Sequence, residues 1–229
     1  TIANSHNPDF KGGYVRLSDF RGSENQAPKT REAVANPACG WLFRASATNF
    51  EQIPGSPIAY WAPETLFSAF ERSSPFGKYL DAREGLTTGS NEAHVRYHFE
   101  VSNDRIGRGF STRETAKSSG KKWFSYDKGG EYRKWFGNDL FVVNWENDGW
   151  DLQNTLHPSG ERIWAHNFNL DYIFSPSISW SDITSGGLSV RFFPEGYIFD
   201  CTGQSAFEKD GGLYRYSAAA ICNSIVGSL

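Results

Sequence analysis

The 229-residue sequence has no methionine, few cysteines and no long apolar run. Its three cysteines, Cys39, Cys201 and Cys222, are widely spaced, odd in number and outside any CxxC motif, which is typical of reduced thiols in a cytoplasmic protein. No apolar run approaches the roughly 20 residues of a membrane-spanning helix, and nothing resembles a signal peptide. We therefore expect a cytoplasmic protein. Because the chain begins with Thr1 and has no methionine, we expect it to be a piece of a larger protein.

The motifs of several common enzyme classes are also absent. The nucleophile motif GxSxG does not occur. The segment 87–91 (TTGSN) fits neither GxxxxGK[ST] nor GxGxxG, so a turn is expected there. His94 and His98 have metal-like spacing but no third ligand motif beside them. The lack of a Pro-Pro dipeptide excludes the Asp/Asn-Pro-Pro-aromatic loop that holds a flipped base in amino-methyltransferases. We therefore predict no catalytic, cofactor-binding or metal-ligating residue in this chain.

Hydrophobic periodicity and turn residues predict many short strands with a few helices, an α+β fold with mixed or antiparallel sheets. Strands are expected at residues 14–20, 121–126, 140–145, 177–183, 188–193 and 197–200, and further extended segments at 50–61 and on both sides of 88–91. Helices are expected at 24–36, 63–72 and 213–226, and a long loop at 107–120. The expected internal joint is at 73–76 (SSPF), and we expect two domains, residues 1–80 and 81–229.

Charge is distributed very unevenly in a chain whose formal net charge is only −3. Between residues 105 and 134, nine basic residues stand against three acidic ones, whereas the rest of the chain has fourteen basic and twenty-three acidic residues. The nine are Arg105, Arg108, Arg113, Lys117, Lys121, Lys122, Lys128, Arg133 and Lys134. Such asymmetry within one chain indicates contact with nucleic acid or another anionic surface.

The run 121–149 (KKWFSYDKGGEYRKWFGNDLFVVNWENDG) combines these cations with aromatic residues and a glycine pair. Its cations can neutralise phosphates, and the backbone N–H groups of Gly129 and Gly130 can approach an anion closely. An arginine that remains free could bridge O6 and N7 of guanine. The alternative is a solvated loop beside aromatic residues that only fill the core, which is their commonest position. These aromatic residues are Trp123, Phe124, Trp135 and Phe136.

The end of this run, residues 144–149 (NWENDG), mixes amides and acids beside a tryptophan. An amide side chain can pair bidentately with adenine, so base recognition by Asn144 or Asn147 is one interpretation. The other is an Asx turn that closes a hairpin. The residues by themselves leave both interpretations open.

Several segments together resemble one family. They are 55–61 (GSPIAYW), 84–96 (EGLTTGSNEAHVR), 122–138 (KWFSYDKGGEYRKWFGN), 142–149 (VVNWENDG), 178–200 (ISWSDITSGGLSVRFFPEGYIFD) and 221–229 (ICNSIVGSL). They resemble the C-terminal part of the large adenine-specific DNA methyltransferases of the PglX type, found in BREX phage-defence systems, with related segments in fused restriction-modification enzymes. Ala93-His94 departs from this pattern, because a larger or aromatic apolar residue is expected there.

The resemblance implies that the chain is the DNA sequence-recognition region of such an enzyme. A catalytic domain that binds S-adenosylmethionine would lie upstream, with residues 1–80 as a connector subdomain after it. Residues 81–229 would be the target-recognition domain, which binds double-stranded DNA and presents the adenine for flipping. Other phage-defence proteins would be candidate partners. The implied DNA-binding residues are Thr88, Asn91, Arg96, Arg105, Arg108, Lys121, Lys122, Lys128, Arg133, Lys134, Asn144 and Asn147.

Two other functions stay open at this point. One is a stand-alone module for single-stranded nucleic acid or glycans that uses exposed aromatic rings as stacking platforms. A row of solvent-facing rings would favour it, whereas buried rings with surface Arg and Lys would favour duplex DNA. The other is an enzyme in its own right, such as a nuclease, although Glu131 and Lys134 lack an Asp partner at nuclease spacing.

Overall fold

The computed structural model describes residue 7, residues 10–184 and residues 186–224. It divides into two compact units, one ending at Ser74 and the other beginning at Pro75. We call them the N-terminal and C-terminal units. The division falls inside the expected joint at 73–76, close to the predicted boundary at residue 80. The roles that the resemblance gives to the two parts stay predictions.

The N-terminal unit has one antiparallel strand pair and three helices among its described residues. These are β1 (Lys11–Val15), β2 (Leu42–Ser46), α1 (Ser23–Ala35), α2 (Ala47–Phe50) and α3 (Glu64–Arg72). Phe50, Ile53 and Phe67 are buried in its core, and the Tyr14 ring stacks on Tyr60 with centroids 4.9 Å apart. Strand β1 covers residues 11–15 and so lies earlier than the strand expected at 14–20. The glycines at positions 12 and 13 conceal the alternation of apolar and polar side chains. The extended segments expected at 50–61 are absent, since α2 ends at Phe50 and residues 51–61 form turns and irregular backbone.

The C-terminal unit is built on two sheets within the described part of the chain. Its strands are β3 (Leu80–Arg83), β4 (Val95–Tyr97), β5 (Ile106–Gly107), β6 (Trp123–Asp127), β7 (Phe141–Asn144), β8 (Ser177–Ser181), β9 (Val190–Phe193), β10 (Tyr197–Phe199) and β11 (Gly203–Glu208). One sheet has the order β10-β6-β7-β4, with β5 also paired to β6. The other has the order β3-β11-β8-β9 and is antiparallel throughout. The predicted α+β fold is confirmed.

Three short 3₁₀ helices (Phe76–Lys78, His98–Glu100 and Asn103–Arg105) and four α-helices complete the described part of this unit. The α-helices are α4 (Asn91–His94), α5 (Arg113–Ser118), α6 (Glu146–Asn154) and α7 (Tyr214–Asn223). The long loop expected at 107–120 is wrong over α5, which Thr112 caps by accepting the Thr115 N–H at 3.2 Å. The terminal helix predicted at 213–226 ends at Asn223, and residues 225–226 lie outside the described residues.

The sequence prediction missed β11, although this strand pairs with both β3 and β8. Ser205 and Ala206 are fully buried in it. Small side chains fill the space beneath the sheet but lack the bulk of β-branched or aromatic residues, so the segment gives no strand signal.

The main core lies against the five-stranded sheet. Phe124 and Tyr126 from β6 pack there with Trp145, Leu152 and Phe174, each at most 1% exposed. Burying a large apolar side chain contributes roughly 1.5–3 kcal/mol. Strand β6 is buried at all five positions and pairs with β7 on one side and with β5 and β10 on the other. This strand therefore fixes the positions of the segments before and after it.

An unusual turn connects β7 to α6. The Asn144 side-chain oxygen accepts the Glu146 N–H at 3.2 Å, so the predicted Asx turn is present. The hairpin that it was expected to close is not, since the chain continues into α6. Within the first turn of α6, Asn147, Asp148 and Gly149 are left-handed, with φ of 51°, 65° and 73°. The helix is kinked there, because L-residues adopt this conformation only at a cost and rarely in succession.

We predict that Gly149→Ala destabilises the chain more than Gly160→Ala does. Both glycines have positive φ, near 73° and 76°, so alanine costs about 1 kcal/mol at either position. At Gly149 an added Cβ would also lie 2.7 Å from the buried Trp145 ring, whereas at Gly160 it meets nothing within 4 Å. The overlap should raise the cost to about 3 kcal/mol. Urea unfolding followed by tryptophan fluorescence measures both variants, and equal losses would contradict this packing.

Candidate nucleic-acid interface

Three chain segments meet at the start of β6. Arg105 ends a short 3₁₀ helix (Asn103–Arg105), and its carbonyl accepts the Lys122 N–H at 3.1 Å. The Lys122 carbonyl accepts the Trp145 N–H at 2.9 Å. These backbone bonds bring Arg105, Lys122 and Glu146 together, although they are far apart in the sequence.

Glu146 forms ion pairs with both cations. Its Oε1 is 3.8 Å from an Arg105 Nη, and its Oε2 is 3.4 Å from Lys122 Nζ. The side chains are 55% exposed for Arg105, 27% for Lys122 and 36% for Glu146. We call these three residues the Glu146 cluster. It carries one net positive charge at the surface.

The Trp123 ring lies beside this cluster. Arg96 from β4 and Lys122 are each 5.8 Å from its centroid, within the range of a cation–π contact. Arg96 also donates to the carbonyls of Glu92 and Val95 at 2.6 Å. Arg96 is therefore held close to the end of β6 that carries the Glu146 cluster.

A second ion pair joins the turn after β7 to α5. Arg113 contacts Asp148 bidentately, with Nε to Oδ1 at 3.0 Å and Nη2 to Oδ2 at 2.6 Å. This hydrogen-bonded carboxylate raises the pKa of Arg113. Asn147 lies between the two paired acids, is exposed, and its amide bonds to no other described side chain. The turn thus presents one amide between an acid paired with two cations and an acid paired with Arg113.

The other predicted amide and hydroxyl contacts are used inside the protein. Asn144 is only 6% exposed, and its amide donates to Asp151 at 3.1 Å. Thr88 is 4% exposed and donates to the Asn91 side-chain oxygen at 2.8 Å. Thr88 and Asn144 therefore hold turns, and neither presents a polar group to solvent. Asn91 is exposed at the start of α4.

The remaining predicted cations fall into two groups. Lys121 donates to the Asp104 carbonyl and Arg108 to the Asn103 side chain, so both lie near the Glu146 cluster. The others lie beyond the opposite end of β6. There Lys128 pairs with Asp200 at 2.9 Å, Lys134 donates to the Asn223 carbonyl at 2.5 Å, and Arg133 is exposed. The structure thus divides the basic run between two ends of one strand.

The aromatic residues of the run are divided in the same way. Trp123 and Phe124 are buried, as the core interpretation expects, whereas Trp135 is 41% and Phe136 73% exposed. Trp135 and Phe136 pack on Phe192 of β9. A separate exposed stack joins Phe99, Tyr97 and Phe141. Neither sequence interpretation of these rings holds for all of them.

Buried charged residues lie at the far end of β6. Asp127 is 1% and Arg191 0% exposed. Burial raises the pKa of Asp127 to about 6 despite the positive charge of Arg191. One Asp127 oxygen accepts the Gly129 N–H at 3.1 Å. This contact draws Gly129 against the end of β6, so its N–H binds a carboxylate of the protein itself.

Asp200 is the second buried acid at this end. Burial opposes its ionisation, but hydrogen bonds from Lys128, Thr202 and Tyr126 lower its pKa. The Tyr126 hydroxyl lies 2.5 Å from its Oδ2. Lys128 is therefore part of a structural network. In the sequence, Asp200 is only an acid at the end of an apolar strand, and nothing near it indicates that Lys128 and Tyr126 bind it.

The described residues contain no helix with the length and apolarity to cross a bilayer. Within the same ranges, no group of three His, Cys, Asp or Glu side chains is placed to hold a metal ion. His94 is buried, which lowers its pKa, and His98 is half-buried.

Comparison with known proteins places this chain beside one class. No family model matches it. It is similar to a segment of adenine-specific methyltransferases, as the sequence motifs predict, so the resemblance is confirmed. One is the adenine-specific methyltransferase PglX of Lacticaseibacillus casei (strain Zhang), 41% identical over 202 residues, or 88% of this chain. Another is the adenine-specific methyltransferase BrxX of Escherichia coli O9:H4 (strain HS), 34% identical over 97% of this chain. The chain spans 17% of the length of each.

We predict that Asp127→Asn changes how stability depends on pH. The pKa of Asp127 is about 6 in the folded chain, above its usual 3.8. The stability that its proton contributes is therefore full below pH 3.8 and is lost as the pH rises through about 6. The free energy of unfolding of the unmodified chain should fall, relative to the Asn variant, as the pH rises through this window.

Urea unfolding at several pH values measures this difference. Asp210→Asn, at an exposed position, is the control and should give curves parallel to those of the unmodified chain. A free-energy difference between the Asp127 variant and the unmodified chain that stays constant across the window would contradict the buried carboxyl.

Proposed function

We propose that this chain is the DNA sequence-recognition region of a longer adenine-specific DNA methyltransferase. Its similarity to PglX and BrxX over most of its own length supports this, as does its coverage of 17% of theirs. In this proposal, the complete protein binds S-adenosylmethionine in a separate catalytic domain. The present chain binds the duplex, and the catalytic domain receives the flipped adenine. The N-terminal unit connects the two, in the cytoplasm, and other phage-defence proteins are further partners.

The observation that carries the proposal is the convergence of surface cations and one exposed amide at the start of β6. Arg105 is exposed and Lys122 half-buried on either side of Glu146, and Lys121 and Arg108 lie nearby. Cations at a surface neutralise phosphates and determine the orientation of the duplex, whereas base edges are recognised by hydrogen bonds. Asn147 is the candidate for such a hydrogen bond, because an amide matches the N6 and N7 edge of adenine.

The other predicted contacts take a lesser part in this proposal. Four of them would at most contact the DNA backbone: Lys128, Arg133, Lys134 and Asn91. Asn144 and Thr88 support turns within the protein. Single-strand or glycan binding through aromatic rings is less well supported. The exposed rings form separate small groups, around Phe99 and around Phe136, and not one row.

We predict that replacing Lys121 and Lys122 together by Ala weakens duplex binding about tenfold for all sequences alike, since phosphate contacts carry no sequence information. The slope of log affinity against log salt should become shallower by about 1 to 2. Fluorescence anisotropy with the complete protein at several salt concentrations measures both quantities.

The double variant Lys11→Ala/Arg31→Ala is the control. It removes the same charge from exposed positions of the N-terminal unit and should change affinity much less. Unchanged binding by the lysine variant at low salt would exclude this surface as the DNA face. Stronger binding to the single strand than to the duplex would favour the aromatic alternative.

A second prediction concerns Asn147→Gly in the complete protein. Glycine keeps the left-handed backbone and removes the amide. Loss of a bidentate base contact should reduce methylation at the target site about tenfold or more and relax recognition at one position. Sequencing of methylated adenines in DNA from expressing cells measures both effects. The control is Asn167→Gly, also exposed with φ of 56°. An unchanged methylation pattern in the Asn147 variant would contradict the assignment.

A further inference from the structure

Glu146 is held in place by its surroundings. The Asn144 side chain accepts its N–H, and the preceding Trp145 N–H donates to the Lys122 carbonyl. Trp145 itself is 1% exposed. The Glu146 backbone is therefore fixed at its N-terminal side, and its carboxylate faces Arg105 and Lys122 with one oxygen each.

The two ion pairs of Glu146 are poorly suited to stabilising the fold. They span 3.8 and 3.4 Å between side chains that are about a quarter to a half exposed. Such pairs contribute little to folding in water. The neighbouring pair between Arg113 and Asp148 differs, because it is bidentate and less exposed. Arg113 is thus committed to its partner, whereas Arg105 and Lys122 can exchange theirs.

A DNA phosphate offers these cations the same kind of interaction as the carboxylate. Both anions accept charge-assisted hydrogen bonds from guanidinium and ammonium groups. A phosphate that approaches Arg105 and Lys122 must displace Glu146 or share the cations with its negative charge. Either event weakens binding, whatever the base sequence.

We propose that Glu146 competes with DNA phosphates for Arg105 and Lys122 and so keeps the affinity for non-target DNA low. The inference rests on the proposed function. In the free protein, the carboxylate holds both cations in position and cancels one of their charges. On the duplex, the cations turn to the phosphates and the carboxylate becomes exposed to solvent. Discrimination between sequences is left to Asn147.

The test is duplex affinity of the complete protein carrying Glu146→Gln, measured at fixed low salt on random-sequence DNA. Glutamine keeps the size of the side chain and removes the charge. We expect affinity to rise about fivefold, as two weak exposed pairs would give. The control Glu195→Gln changes net charge equally at an exposed position between β9 and β10 and should raise affinity much less.

The same substitution is also measured in a variant that lacks both cations, so that an effect of Glu146→Gln on folding can be told apart from an effect on DNA binding. When Glu146→Gln is added to Arg105→Ala/Lys122→Ala, the gain should disappear, because neither cation that pairs with the carboxylate remains. A gain no larger than that of Glu195→Gln, or one that persists without the two cations, would overturn the inference. These outcomes differ from failure of the proposed function, in which Arg105→Ala/Lys122→Ala leaves duplex binding unchanged.

Discussion

The burial of β6 along its whole length is the constraint on which the rest of the C-terminal unit depends. All five of its residues are buried, and both of its edges are paired. The basic residues of the run therefore lie only before and after it, and the one acid of the strand, Asp127, is buried at its end. Lys121 and Lys122 meet Arg105 and Glu146 at the start, whereas Lys128 meets Asp200 at the end. A basic run that is continuous in sequence becomes two sites with different chemistry.

The two ends of β6 show how burial determines what a charged pair can do. At the far end, Asp127, Arg191 and Asp200 are almost fully buried, and the Asp200 carboxylate pairs with Lys128 at 2.9 Å. Removing one partner of a buried ion pair is costly, so Lys128 stays on Asp200. At the near end, the pairs of Glu146 are exposed and weak, so their cations remain able to bind another anion. Exposure therefore separates the candidate binding surface from the structural network more clearly than the number of charges does.

The sequence predicted the α+β class and much of β6, β7 and β8, because alternating large apolar residues indicate half-buried or buried strands. It missed β11, whose buried side chains are small, and placed a loop where Thr112 caps α5. The sequence identified most of the candidate cations, but it did not identify Glu146 as the carboxylate that pairs with two of them. The pairing of Glu146 with Arg105 depends on β5 lying beside β6, which is a long-range contact with no local signal. Likewise, Asn144 and Asn147 are equivalent as amides in the sequence, and burial distinguishes them.

The most direct test of the DNA-binding surface is a structure of the complete protein bound to its duplex. We expect phosphate oxygens about 2.7–2.9 Å from the nitrogens of Arg105 and Lys122, with Glu146 displaced from both. The Asn147 amide should lie at a base edge in the major groove. A duplex bound on another face, with both Glu146 ion pairs intact, would contradict the account.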